Sequence, residues 1–351
     1  MKEAVFLQEV KEIQLLKNAL TLLDWDSSTG MPEKSSPFRG EVEGYLTGLY
    51  FERSIGPVIQ EALAYFETRP EELSELGKLV FEKVKEEYAL NKNVPAERMQ
   101  EYVKVLNQAH TDWLKARAAQ DFGLLEETLT KVVAFQKEFI PYWQKEEKTP
   151  YDVLLNQFEP GMTVEKLDQV FDQVKQGIQE IRTVLAEKGT PPRTDFLSRK
   201  MTKEQQRRFV IGVVEQLGYD FSKGRLDDTV HPFMTALNRN DARITTRWEE
   251  NNFSMATFGV IHEAGHGMYE QNFDPKFDFT PLSEGASMGI HESQSLFNEI
   301  IIGSNRAFWQ KQYPFFQECA EGTFDDIAFE DFYASLKETK ASLIRIDSDS
   351  P

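Results

Sequence analysis

Cysteine, histidine and positive charge are all scarce in this sequence. One of its 351 residues is cysteine, Cys319. No intrachain disulfide can form, so a reducing compartment, or indifference to one, is expected. Lys and Arg number 40 against 58 Asp and Glu, a net charge of −18. That deficit argues against nucleic acid, whose affinity comes mainly from basic residues neutralising phosphates. It argues equally against an anionic membrane surface, which attracts basic segments. No stretch approaches the roughly 20 apolar residues a bilayer span requires. At the N-terminus Glu3, Glu9 and Glu12 interrupt any signal-like apolar core. Internal repeats and low-complexity runs are missing too. The expectation is a cytoplasmic globular protein with neither nucleic acid nor membrane as a partner.

What is present is enough for a core. Hydrophobic residues make up 40% of the chain and aromatics 12%, and a chain this long can bury roughly three quarters of its unfolded surface. Its first 150 residues read as successive amphipathic helices. Phe6, Val10, Ile13, Leu16, Ala19 and Leu22 step by three and four along one helical face. The stretches Leu76 to Tyr88, Met99 to Ala119 and Leu124 to Trp143 behave likewise, with breaks expected at Pro32 to Pro37, Pro70, Pro95 and Pro141. From Thr149 the texture changes: Pro160-Gly161 reads as a turn and Thr163 as the cap of a new helix. Residues 242–248, ARITTRW, alternate with period two, placing Ile244, Thr246 and Trp248 on one face; this is the best strand candidate. Nothing near residue 150 resembles a flexible linker. The reading is one mainly α domain over 1–351, with a helical lobe at about 1–150 and a second lobe at about 151–351.

Five histidines exist, and four of them, His231, His262, His266 and His291, fall within 61 consecutive residues. Two frame the run His262-Glu263-Ala264-Gly265-His266. With five histidines and 58 acids in 351 residues, a H-[DE]-x-x-H match arises by chance about 0.01 times. Four residues advance an α-helix by about 6 Å and slightly more than one turn, so both imidazoles share a face. Two nitrogens so placed can bind one zinc at about 2.0–2.1 Å. Glu263 stands beside them, free to act as a base towards water. Phe258, Ile261, Gly265 and Met268 give this stretch a second, apolar face, with Ser254 as a candidate cap. A hydrolytic zinc needs a third protein ligand and an open position. The longer pattern with a third histidine at position 272 is absent, because that residue is Asn272. Either His291 or Glu292, opening a second helical stretch that runs to Gly303, can supply the ligand, and periodicity does not choose between them.

HPF at His231 to Phe233, DARIT at Asp241 to Thr245, HEAGH at His262 to His266 and HESQ at His291 to Gln294 resemble, in order, the signature motifs of the carboxypeptidase Taq family. LLDWD at Leu22 to Asp26 and FEPGMT at Phe158 to Thr163 are similar to that family as well. The resemblance implies a neurolysin-like helical zincin fold around a deep groove, with one short β segment near the active-site helix, usually as a homodimer. It implies a metal-dependent exopeptidase of broad specificity acting on peptides with a free C-terminus. Carried over by position, His262, His266 and Glu292 are the metal ligands and Glu263 is the general base. The ion is one divalent metal, Zn2+ in the first instance, with Co2+ or Mn2+ as substitutes.

An exopeptidase must recognise a carboxylate, and an arginine fork does so through paired, charge-assisted bonds. Arg345 is the first candidate for that role and Arg243 the second. His231 can donate to the substrate carbonyl. His291 is read as packing beside a ligand, and His110 as scaffold. Two departures from the family pattern stand out: the I/V-R-x-x-A-D motif is present as Ile344 to Asp349 with Ser348 for alanine, and no G-x-x-Q-D-x-H-W motif occurs. From these the chain is expected to be C-terminally truncated relative to the family. The rival readings are a related zinc oligopeptidase or endopeptidase and an inactive helical scaffold.

Overall fold

The structure is a computed structural model, and it describes residues 1–339. The chain forms two compact units. One comprises Met1–Gln157, Thr235–Asp241 and Asn272–Ala286; the other comprises Phe158–Met234, Ala242–Gln271 and the described residues from Ser287 on.

The first unit is built from α1 (Glu3–Thr29), α2 (Ser36–Ser54), α3 (Pro57–Phe66), α4 (Glu75–Asn91), α5 (Ala96–Ala119), α6 (Gly123–Trp143) and most of α7 (Pro150–Phe158). Phe6, Val10 and Ile13 of α1 meet Ile59, Ala62 and Phe66 of α3 and Val80, Phe81 and Val84 of α4 in one core. Phe51, Phe135, Phe139 and Trp143 form a second. The apolar stripe of α1 is buried only in its first half, since Leu22 is exposed. Past Ile13, Lys17 pairs with Glu284 at 2.5 Å and Asn18 donates to the Leu237 carbonyl, and the helix buries a large side chain again only at Trp25. Pro141 does not stop α6 but lies inside it. Only one turn from the end, it removes a single N–H, and the helix closes at Trp143 with the Gln144 N–H donating to Ile140.

The second unit begins with the Pro160-Gly161 turn and α8 (Val164–Lys188), capped by the Thr163 hydroxyl. This long amphipathic helix buries no residue among those described. Then come, in chain order, α9 (Lys203–Leu217), β1 (Leu226–Asp228), β2 (Met234–Asn238, all but Met234 of which falls in the first unit), β3 (Asp241–Thr246), α10 (Phe253–Gln271), α11 (Met288–Leu296), a π-helical stretch Phe297–Ile302, α12 (Arg306–Cys319) and α13 (Phe329–Ser335). The predicted strand is found, ending at Thr246 rather than Trp248. It is the middle strand of three in the order β1-β3-β2, with β1 parallel to it and Leu226 opposite Ile244. β1, at three residues, is too short to show a period-two pattern in the sequence, and β2, MTALN, does not alternate. The fold is therefore mainly helical with one small sheet.

The core of this unit gathers Phe209, Val210, Val213 and Val214 of α9, Val260, Ile261 and Ala264 of α10, and Trp309, Tyr313, Phe316 and Phe332. Each such buried side chain contributes roughly 1.5–3 kcal/mol by leaving water. Burying Ile261 and Ala264 fixes which side of α10 His262 and His266 present. α10 begins at Phe253, so Ser254 lies in its first turn instead of capping it, with its hydroxyl donating to Asn252.

Candidate metal centre

α10 carries His262, Glu263 and His266, and α11 carries His291 and Glu292. The two helices meet at Gly265. A Cβ on that residue would come 2.7 Å from both the Gln294 carbonyl and the Ser295 Cα. Only glycine lets the backbones approach so closely, because what opposes it is main chain that cannot rotate away. Gly265→Ala is expected to force α11 outward and to weaken metal binding by at least about 10-fold, the scale seen when groups supporting a site are disturbed. Chelator competition measures this, and an unchanged affinity would show that α11 tolerates the shift.

The three residues brought together are His262, His266 and Glu292. One ligand atom from each lies within 4.8 Å of the others. Glu292 Oε2 is 3.4 Å from His266 Nε2 and 3.8 Å from His262 Nε2. Ligands 2.0–2.1 Å from a tetrahedral zinc stand about 3.3 Å apart, so the three atoms are near the spacing an ion needs. Among the described residues this is the one such cluster of His, Cys, Asp and Glu. Two imidazoles and a carboxylate are also the donor set of hydrolytic zinc.

Partners on the far side of each ring fix its tautomer. His262 Nδ1 lies 2.8 Å from Glu299 Oε2, which only accepts, so Nδ1 carries the proton and the Nε2 lone pair faces the cluster. His266 Nδ1 donates to the His291 carbonyl at 3.0 Å, which leaves its Nε2 lone pair inward as well. His291 Nδ1 sits 2.7 Å from the same His266 nitrogen and accepts from it, while its Nε2 donates to the buried Glu270 at 2.9 Å. The two candidates that periodicity left open thus have separate places. Glu292 faces the Nε2 atoms of both histidines, whereas His291 braces His266 from behind.

Electrostatics follow this geometry. For His262, burial works to lower the pKa, but the Glu299 hydrogen bond and the charges of Glu263, Glu299 and Glu292 carry it above the ordinary imidazole value. Burial, joined by repulsion from His291 and His262, holds His266 below that value despite Glu292. Close contact with His266, joined by the charge of His262, in turn holds Glu292 below the usual carboxylate range.

Glu263 is buried, 7% exposed, on the helix between the two histidines. Arg243 is half-buried on β3, and His231 is exposed in the bend ahead of β2. Arg345 falls outside the described residues. Sequence reasoning missed Glu299 and Glu270. Glu299 is tied to His262 by no helical spacing, and Glu270, four residues after His266 on α10, has its partner on another helix, in His291.

A helical protein that gathers two histidines and a carboxylate beside a buried glutamate has the make-up of a metallopeptidase. The chain belongs to the carboxypeptidase Taq (M32) metallopeptidase family, whose sequence model matches residues 5–350. It is similar to carboxypeptidase 1 of Bacillus subtilis (strain 168), with 42% identity over 347 residues, 99% of this chain and 69% of that protein. A solved structure, the crystal structure of BsuCP, superposes with a TM-score of 0.95 at 42% identity, covering 99% of this chain and 69% of the other. The M32 carboxypeptidase from Deinococcus radiodurans R1 gives a TM-score of 0.88 at 32% identity over 97% of this chain and 68% of its own. The protein is thus a metal-dependent carboxypeptidase, a hydrolase of peptides requiring a divalent ion. No helix among the described residues is long and apolar enough to cross a membrane.

Proposed function

We propose that this carboxypeptidase uses one Zn2+ held by His262, His266 and Glu292 to release C-terminal residues from peptides with a free C-terminus and broad side-chain preference. The observation that supports it is the convergence of the His266 and His262 Nε2 atoms on Glu292 Oε2 at 3.4 and 3.8 Å. A zinc held there would supply Lewis acidity, polarising a carbonyl and lowering the pKa of a bound water towards about 7. Co2+ or Mn2+ can occupy the same donor set, since affinity order alone does not decide occupancy.

The chain's own groups do the rest. Glu263 accepts a proton from the attacking water and returns it to the departing amine, so that the new carboxylate and the free amino acid leave with protons balanced. Glu299 and the His291–Glu270 pair hold the ligand rings in their orientations. An arginine fork anchors the substrate carboxylate; Arg345 is our first assignment and Arg243 our second, and His231 donates to the scissile carbonyl. We further assign the enzyme to the cytoplasm as a homodimer, a reading that rests on its single cysteine, its acidity and its family.

A peptide and its C-terminally amidated twin test the exopeptidase reading. The free acid should be cleaved with a kcat/KM more than about 100-fold higher, because a site built to pair a charge rejects a ligand without it. Equal rates would point instead to an oligopeptidase or endopeptidase.

A further inference from the structure

The motif FEPGMT has no part in the chemistry above, yet the structure shows where it leads. Its Met162 N–H donates to the Glu159 carbonyl at 3.0 Å, and Gly161 takes a φ of 82°, which makes a tight turn between α7 and α8. From this turn the Glu159 side chain reaches the start of α11, where Oε2 accepts the Gly289 N–H at 2.8 Å. The neighbouring Ile290 N–H donates to Ser287 Oγ at 3.2 Å, so a side chain from 130 positions earlier takes one of the free donors of this first turn and the local cap takes another. The fit is tight from both sides: a Cβ on Gly289 would come 2.5 Å from Glu159 Oε2 and 3.1 Å from its Cδ.

α11 is only nine residues long, and it makes three contacts to the site. These are Glu292 Oε2 near both Nε2 atoms, the His291 carbonyl accepting from His266, and His291 Nδ1 against the same nitrogen. Its C-terminal part is seated on Gly265. Its N-terminal part is seated on Glu159, two residues before His291 and three before Glu292.

We propose that Glu159 is a positioning residue of the metal centre, clamping the first turn of α11 so that Glu292 and His291 meet the histidines of α10. The inference rests on Glu292 being a ligand. A helix cap with no further role would alter stability alone, so the test separates zinc affinity from folding. Zinc affinity is measured by chelator competition on the wild type, Glu159→Ala, Glu159→Gln, Gly289→Ala and the Glu159→Ala/Gly289→Ala double variant. Thermal unfolding and hydrogen exchange of the segment containing Gly289 are followed on the metal-free proteins.

Glu159→Ala is expected to weaken zinc binding about 10-fold or more and to speed exchange of the Gly289 amide. Glu159→Gln keeps an acceptor oxygen and should stay within about threefold of wild type. Gly289→Ala should weaken zinc binding too, and less so once Glu159→Ala removes the carboxylate it strikes. This reciprocity, a comparison of ratios, stands even if one single variant is poorly stable. Unchanged zinc affinity in Glu159→Ala, or a loss explained wholly by unfolding and not rescued by Gln, overturns the clamp. If Glu292→Gln itself leaves zinc affinity at the wild-type value, the ligand assignment fails and the clamp falls with it.

Discussion

Replacing Glu263 with Gln should lower kcat by about 10²–10⁴-fold, the contribution of a positioned general base, while the protein retains its zinc. The substitution keeps the shape and burial of the side chain but removes the proton acceptor. Glu263 follows His262 directly and is only 7% exposed, and its charge is among those that raise the pKa of His262, so it lies close to the ligand set. Steady-state kinetics beside elemental analysis measures both halves of the expectation. A variant that keeps its zinc and its turnover would remove Glu263 from the role of base. One that loses zinc would show that the carboxylate holds the ion as well.

The second large effect concerns the third ligand. Glu292→Gln should weaken zinc binding by more than about 100-fold, beyond the 10–100-fold typical of groups that merely support a site. The amide is a much poorer donor, and the two imidazoles would be left as the only strong ligands. Activity at limiting zinc should fall in proportion and recover in part with excess metal. Titration with zinc against a chelator decides the matter, and unchanged stoichiometry and affinity would pass the role to another residue.

Local rules reached a good part of this. The helices over Glu75–Asn91, Ala96–Ala119 and Gly123–Trp143 show in their three-and-four spacing, and β3 shows in its alternation. His262, Glu263 and His266 were legible because one helical turn alone sets their relation. Glu299 and Glu270 were not. Glu299 reaches His262 only because α11 sits against Gly265 and then unwinds into π geometry, a tertiary fact with no sequence period. Periodicity could place His291 and Glu292 on a helix but could not say which faced the histidines, since adjacent residues differ by about 100° and the packed side of α11 is decided by α10. Pro141 and Ser254 misled for a related reason: near a helix end the local signal shifts by a turn, and packing decides the last residues.

The π-helical stretch Phe297–Ile302 has a consequence for how this site can change. Its bonds skip five residues, as where the Gly303 N–H reaches the Asn298 carbonyl at 2.7 Å. Dropping one residue between Glu292 and Glu299 would restore ordinary winding and swing the Glu299 carboxylate by about 100° around the axis, leaving Glu292 where it was. The count of residues between these two acids is thus as much a part of the metal centre as their identity. A length change here, like a substitution of Glu299 itself, would remove the support of His262 in a single genetic step.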